Sequence, residues 1–173
     1  MWLTDEGQQE QIDFLKEWPI ERIEAMSLEE YTNLDKDTAF VYWLEAKSEH
    51  AGSIWGGSAY KFGIFRRRNT ESNKGDERYK TDGSYAWQAK YGNTRDEAFH
   101  NVKSIILNIA QFSHNKQFEK IDDLDLGNSV KWKIAFLYNA SELLPIFKKK
   151  VLMRIAESHG LDGAKKKEIS ELQ

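Results

Sequence analysis

Hydrophobic residues recur at the spacing of α-helices through the first third of the chain. A helical stripe over residues 12–18 ends at Pro19. Ser27 begins a capping box, in which a hydroxyl and a carboxylate satisfy free N–H groups at a helix start, so a second short helix is expected there. Residues 38–48 form a third helical stripe, which Asp37 is placed to cap.

In the middle of the chain, glycine-rich turns and alternation replace the helical pattern. The stretch 51–65 contains four glycines among aromatic and small residues, which is typical of turns. Residues 59–68 alternate and are predicted to form a strand, with residues 84–91 as the returning strand. The polar residues 69–83 between them are predicted to form an exposed, mobile hairpin loop.

The strongest helical pattern covers residues 95–114. It opens with a second capping box, from Thr94 to Glu97, and carries a wide apolar stripe that we expect to lie against the sheet. Residues 130–138 are β-branched and aromatic enough for a buried strand, although the same letters also fit a helix. The C-terminal pattern is helical again, and the His-Gly pair at 159–160 predicts where it stops.

These elements predict an α+β fold, in which a small antiparallel sheet is packed by a long central helix between a helical N-terminal part and a helical C-terminus. A chain of 173 residues with 40% hydrophobic and 13% aromatic content can bury the core of one domain. We expect residues 1–163 to form that single domain and residues 164–173 to form a tail or connector.

Composition and motif spacing exclude several kinds of chemistry. The chain has no cysteine, which excludes disulfides, thiolate nucleophiles and cysteine-based metal sites. It has no P-loop sequence for nucleotide phosphates, and its four histidines lack the H-E-x-x-H spacing of zinc hydrolases. We therefore predict no metal ligands, no cofactor and no catalytic residues in this domain.

A membrane partner is not expected either. No window approaches the ~18 consecutive apolar residues of a membrane span. The N-terminus is acidic, whereas a signal peptide is basic and then apolar. The sequence thus predicts a cytoplasmic protein.

Charge is distributed unevenly along the chain. The net charge is −3, but residues 1–31 hold nine Asp/Glu against two Lys/Arg, whereas residues 59–90 hold eight Lys/Arg against four Asp/Glu. A local positive field can form over such a segment even in a mildly acidic protein. Its cations can contact phosphates, and its interleaved aromatic rings can stack on bases.

This segment predicts a DNA-binding surface near the doublet of Gly56 and Gly57, where the main chain can approach a ligand closely. The candidate contact residues are Trp55, Lys61, Arg66, Arg67, Arg68, Arg78, Trp87 and Lys90. Lys74 and Lys80 are further candidates for phosphate contact. The competing interpretation is that the aromatic residues of this segment alternate into an ordinary core.

A Mg²⁺-dependent nuclease is an alternative, because such sites place an Asp near an E-x-K or Q-x-K on adjacent strands. Asp37 with the E-x-K at residues 45–47 is one such combination, and Asp82 with the Q-x-K at residues 88–90 is another. The first lies in a segment of helical periodicity, and the second offers only one carboxylate. Both observations weigh against a nuclease.

Several strings of the sequence resemble a known family. The strings are WLE at residues 43–45, GGSAYKFGI at 56–64, YAW at 85–87 and KWKIAFLY at 131–138. Over about residues 18–160, they resemble the N-terminal region found ahead of the motor in McrB-like AAA-family restriction proteins.

The resemblance implies a division of labour. In McrB-like systems the front domain reads target DNA, often with modified bases, while the AAA ring hydrolyses nucleotide, usually GTP, and a separate subunit cuts. The chain would then be a non-catalytic DNA-recognition domain of a phage-defence system. Its partners would be methylated or otherwise modified DNA, an AAA motor domain in the same chain and a nuclease subunit. A protein–protein docking domain for that nuclease or for a ring subunit is the first alternative, and the Mg²⁺-dependent nuclease is the second.

Overall fold

The computed structural model describes residues 2–68 and 76–173 and has an α+β fold, as predicted. The α-helices are α1 (Asp5–Glu17), α2 (Ile20–Ala25), α3 (Leu28–Tyr31), α4 (Phe40–Tyr42), α5 (Arg95–His114), α6 (Glu119–Asp122), α7 (Asn128–Tyr138), α8 (Lys149–Ser158) and α9 (Ile169–Leu172). The strands are β1 (Ile64–Arg66), β2 (Tyr79–Thr81) and β3 (Tyr85–Gln88). None of the helices in this described part of the chain is long and apolar enough to span a bilayer.

The helical N-terminal part is confirmed, with one difference in its caps. The capping box at Ser27 is present and begins α3. The predicted cap at Asp37 is wrong, because Asp37 lies in a 3-10 turn, Lys36–Thr38, and α4 begins only after Ala39. From its last residue α4 continues into a π-helical turn, Trp43–Lys47.

The strands of the sheet are shorter than the alternating pattern predicted, and they begin and end at different residues. It has the order β1-β3-β2 with both pairs antiparallel. The predicted strand 59–68 is largely wrong, because Ala59–Phe62 forms a 3-10 turn that ends at Gly63. Gly63 has φ +83°, and a Cβ there would lie 2.6 Å from a methyl of Val102 on α5. The chain thus enters β1 only after a turn that requires glycine.

The predicted hairpin loop and returning strand also need correction. Residues 69–75 of the predicted loop lie outside the described residues. The rest of that segment contains β2, which pairs Lys80 with Trp87 across the sheet. The returning strand predicted over 84–91 ends at Gln88, after which Ala89–Tyr91 forms a 3-10 turn.

The long central helix α5 packs on the sheet as predicted. The capping box of Thr94 and Glu97 begins it, and its buried residues contact β1, β3 and α2. Its most extensive contact is with α7. Of the two interpretations of residues 130–138, the structure shows the helix and not the buried strand, because α7 is a helix whose residues from Val130 to Tyr138 are all buried. A helix enclosed on every side shows no polar face in its sequence.

The C-terminal part is helical as predicted, and α8 ends before Gly160, which has φ +82°. The segment 164–173, for which we expected a tail or connector, packs on the domain. Ile169 and Leu172 of α9 are buried in the core, and α9 contacts α8 and α6.

Candidate nucleic-acid interface

One face of the sheet is covered by α5 and the other is turned away from it. On the covered face, Ile64 pairs with Trp87, and both side chains are buried. On the opposite face, Phe65 and Thr81 both pair with Ala86, so the three side chains point the same way. We call this the outer face and define it by the side chains of Tyr60, Phe65, Arg67, Tyr79 and Thr81.

Three half-buried aromatic rings form the centre of the outer face. The ring centroid of Tyr60 lies 4.9 Å from that of Phe65, in an edge-on arrangement, and 3.8 Å from that of Tyr79. Gln88 holds the turn of Tyr60 on the sheet, because its side-chain amide donates a 2.7 Å hydrogen bond to the Tyr60 carbonyl. Burial raises the pKa of Tyr60, so its hydroxyl stays protonated and able to donate a hydrogen bond.

Arg67 brings positive charge to this face. Its Nη1 donates a 3.0 Å hydrogen bond to the hydroxyl of Thr81, which itself donates to the Tyr85 carbonyl at 2.7 Å. The guanidinium is close enough to Tyr60 for its charge to lower the pKa of the phenol, against the larger effect of burial. Arg67 therefore lies beside the aromatic rings.

Arg78 lies at the rim of the outer face and forms an ion pair with Asp76. Its guanidinium is 5.5 Å from the Tyr79 ring centroid, and its side chain is 78% exposed. Nε and Nη2 donate to both carboxylate oxygens of Asp76 at 2.6–3.1 Å. These hydrogen bonds lower the pKa of Asp76, so the pair is ionised at neutral pH. A phosphate that binds Arg78 would compete with Asp76.

The three consecutive arginines that were predicted to contact the DNA backbone do not lie together on one surface. Arg66 lies on the covered side of the sheet, where its guanidinium is 4.8 Å from the Tyr85 ring centroid and Arg95 is 5.3 Å from the same ring. Arg67 points to the outer face, since successive residues of a strand alternate. Arg68 is exposed just beyond β1. Only Arg67 of the three is held against the rings.

Trp87 and Lys90 do not form part of this surface. Trp87 is only 3% exposed and its Nε1 donates to the Gly92 carbonyl, so the predicted stacking role is wrong for this indole. Lys90, in the 3-10 turn that follows β3, pairs with Asp125 at 2.5 Å. Trp87 is thus bonded to the connection from β3 to α5, and Lys90 joins that connection to the segment before α7.

Trp55 and Lys61 lie together in a separate groove beside the start of α7. The Lys61 ammonium contacts the Glu45 carboxylate and donates to the carbonyls of Ile54 at 2.8 Å and Gly56 at 2.7 Å. Its hydrogen-bonding capacity is therefore used to fix the loop before it. Trp55, in contrast, is 68% exposed.

Neither predicted nuclease combination is assembled. Glu45 and Lys47 lie on the π-helical turn, where Glu45 pairs with Lys61 and Lys47 is 4.0 Å from Asp37. In the second combination, Asp82 accepts hydrogen bonds from the main-chain N–H groups of residues 84 and 85 and pairs with Arg95 at 3.2 Å. The acidic and basic groups of each combination are thus paired in ways that do not build a metal site.

Of the additional cations, Lys80 donates to the Asn93 side chain at 2.6 Å, and Lys74 lies outside the described residues. Sequence reasoning missed Phe65 and Tyr79, which contribute two of the three rings on the outer face. The alternation of Tyr79, Lys80 and Thr81 was a signal for β2, but it is short and lies in a polar stretch.

The outer face thus offers aromatic rings for stacking and arginines for anions, and it carries no assembled catalytic group among the described residues. Such a surface can hold an extended ligand that has flat rings and negative charges. Comparisons of the chain with family models, with curated proteins and with solved structures found no match.

Proposed function

We propose that this chain is the DNA-recognition domain of a McrB-like restriction system and that the outer face contacts the DNA. The observation that carries this proposal is the cluster of Tyr60, Phe65 and Tyr79 on the sheet face turned away from α5, with Arg67 and Arg78 beside it. Sheets that bind single-stranded nucleic acids use outward aromatic rings to stack on bases.

The free energies of stacking and unstacking a base favour an unpaired strand over intact duplex as the ligand. Stacking of a base on an aromatic ring contributes ~1–3 kcal/mol. A base inside a duplex is already stacked on its neighbours and cannot reach these rings without being unstacked, at a cost of a few kcal/mol. The outer face therefore binds single-stranded or locally opened DNA more tightly than continuous duplex.

The arginines supply the electrostatic part of the affinity. Arg67 is held over the face by Thr81, and Arg78 exchanges its bond to Asp76 for a bond to a phosphate. Because Asp76 competes for Arg78, a phosphate at this position must displace that carboxylate. The net charge of −3 makes the attraction local, so affinity falls steeply when salt screens these two groups.

The proposal includes no catalytic activity for this domain. In the system that it implies, an AAA motor in the same chain hydrolyses nucleotide and a separate nuclease subunit cuts, in the cytoplasm. Support comes from the sequence resemblance and from the two nuclease combinations, in which Glu45, Lys90 and Asp82 each pair with a residue outside the combination. Methylated or otherwise modified DNA is the proposed target.

A salt titration tests the proposal. Binding of labelled single-stranded and duplex DNA, methylated and unmethylated, is measured by fluorescence anisotropy over a range of salt concentrations. Arg67→Ala should weaken binding and reduce the slope of log affinity against log salt by about 0.7 for each phosphate of a single strand that the arginine neutralises. Lys16→Ala is the matched control, because Lys16 is a 71% exposed cation on α1.

Two results would contradict the proposal. One is an unchanged salt slope in Arg67→Ala, which would mean that this arginine contacts no phosphate. The other is an equal weakening of binding in Lys16→Ala, which would mean that binding follows the net charge of the protein rather than the outer face.

A further inference from the structure

A second concave surface lies between the glycine-rich loop and the start of α7, and we call it the Trp55 groove. It has a volume of about 510 Å³, within the range of ligand-binding clefts. It is lined by residues 53–57, Lys61, residues 127–130, residues 145–148 and Val151. None of these residues belongs to the outer face.

The floor of the groove is apolar and partly open to solvent. Ile54, Val130 and Phe147 contribute buried side chains, while Val151 is 39% exposed and Trp55 is largely exposed. An exposed indole next to an exposed branched side chain is a typical anchor point for a partner, since the rest of a monomer's surface rarely groups large apolar side chains. The aliphatic floor suits an apolar side chain.

The rim of the groove is positive. The described residues that line it include no Asp or Glu. Lys148 is exposed at the rim, with the exposed Lys150 two residues further on, and neither forms an ion pair with a described carboxylate. The first turn of α7, at Asn128 and Ser129, also faces the groove, and no described side chain caps it. Its N–H groups add partial positive charge.

The loop that carries Trp55 is held at both ends. The buried ammonium of Lys133 donates to the carbonyls of Ser48, Ala51 and Gly52 before the indole. Lys61 donates to the carbonyls of the two residues on either side of it, 54 and 56. The surface is therefore preformed, and binding of a partner carries little entropic cost for ordering the loop.

We propose that the Trp55 groove docks an acidic segment of a partner protein that carries one apolar side chain. The apolar side chain packs on Trp55 and Val151. Flanking carboxylates contact Lys148 and the free N–H groups at the start of α7. The groove and the outer face share no residue, so each can be tested with its own variants.

A nucleic acid fits this groove less well than an acidic peptide. Of the two lysines among the described lining residues, Lys61 is neutralised by Glu45, which leaves Lys148 to supply the charge. A strand of DNA places a charge on every nucleotide and is bound along a track of cations. The apolar floor of the groove suits a single apolar side chain, and the one lining lysine that forms no ion pair with a described residue, Lys148, suits a neighbouring carboxylate.

The test uses synthetic peptides and fluorescence anisotropy. The first peptide has one phenylalanine flanked on both sides by glutamates, and its matched forms replace the phenylalanine by alanine or the glutamates by lysines. Only the first should bind saturably. Trp55→Ala should weaken its binding about tenfold or more, as expected for a central aromatic anchor. Lys148→Glu should weaken it about threefold or more.

Two matched variants serve as controls. Trp2→Ala removes another exposed indole and Lys16→Glu reverses another exposed charge, and both should leave peptide affinity unchanged. All substitutions are of exposed side chains, and circular dichroism verifies that each variant is folded.

Three outcomes would overturn the proposal. The peptide with alanine could bind as well as the peptide with phenylalanine, or Trp55→Ala could bind the first peptide as wild type does. In the third outcome, single-stranded DNA displaces the peptide from wild type and Trp55→Ala no longer binds DNA, which would assign the groove to nucleic acid. Loss of peptide binding in Trp55→Ala supports the proposal when this variant binds DNA to the same extent as wild type. This result does not depend on the outer face, because it supports the groove even if wild type itself binds no DNA.

Discussion

Gly63→Ala tests whether the turn before β1 has the close packing that the structure shows. Gly63 has φ +83°, and an added Cβ would lie 2.6 Å from Val102 Cγ2 and 3.2 Å from the Tyr91 ring. Val102 is fully buried on α5 and cannot move aside easily. The substitution therefore adds both backbone strain and a clash at the contact between α5 and the sheet.

The expected decrease in stability has two parts that a control can separate. A side chain at positive φ costs about 1–2 kcal/mol. Forcing an extra carbon into a packed core costs a further 1–3 kcal/mol or so, for a sum of about 2–5 kcal/mol. Gly57→Ala is the control, because Gly57 has φ +80° but a Cβ there meets nothing within 4 Å. It should show only the backbone part.

The assay is equilibrium unfolding in urea, followed by tryptophan fluorescence and by far-UV circular dichroism. Gly63→Ala should unfold at clearly lower urea than Gly57→Ala, with both below wild type. Equal free energies of unfolding for the two variants would refute the close packing, since they would show that no clash arises at Val102.

Two further predictions concern the core and a helix start. Thr94→Ala removes the hydroxyl that accepts the Glu97 N–H, and it should lower the free energy of unfolding by about 1 kcal/mol in urea; an unchanged value would mean that the capping box does not stabilise α5. Burial lowers the pKa of Lys133 to about 7 from 10.5. Between those values the unfolded chain binds more protons than the folded one, so the stability of wild type relative to Lys133→Met should rise with pH, by up to about 1.4 kcal/mol per unit. A flat or falling difference over that window, measured by urea unfolding, would contradict this direction.

The elements with strong local signals could be predicted from the sequence. The central helix α5 has both a capping box and an apolar stripe, and these act within the helix itself. Ser27 begins α3 for the same reason. Such signals do not depend on distant parts of the chain, which is why they can be recognised in the sequence alone.

α7 could not be predicted with the same reasoning, because it is enclosed by neighbours on all sides. Its two lysines look like surface residues in the sequence. In the structure, Lys131 donates to the carbonyls of Asp122 and Leu124, and Lys133 donates to three carbonyls of the loop before Trp55. These partners are distant in sequence or lie in another element, so the β-branched and aromatic residues of this segment fitted a buried strand as well as a helix.

The candidate DNA-binding residues depended most on information that the sequence lacks. Trp55 is largely exposed and Trp87 is buried, although both are tryptophans in the same segment. Strand pairing alone decides that Arg67 faces the aromatic rings and that Arg66 faces Tyr85. Cation-rich composition indicated the region, but register and ion pairs determine which of its residues can reach a ligand.

Photo-cross-linking shows which aromatic rings meet the bases of bound DNA. Single-stranded DNA containing 5-iodouracil is irradiated in complex with the protein, and the cross-linked peptides are identified by mass spectrometry. We expect cross-links to Tyr60, Phe65 or Tyr79, because these rings stack on the bases. Cross-links confined to Trp55, or distributed evenly over the surface, would contradict DNA binding by the outer face.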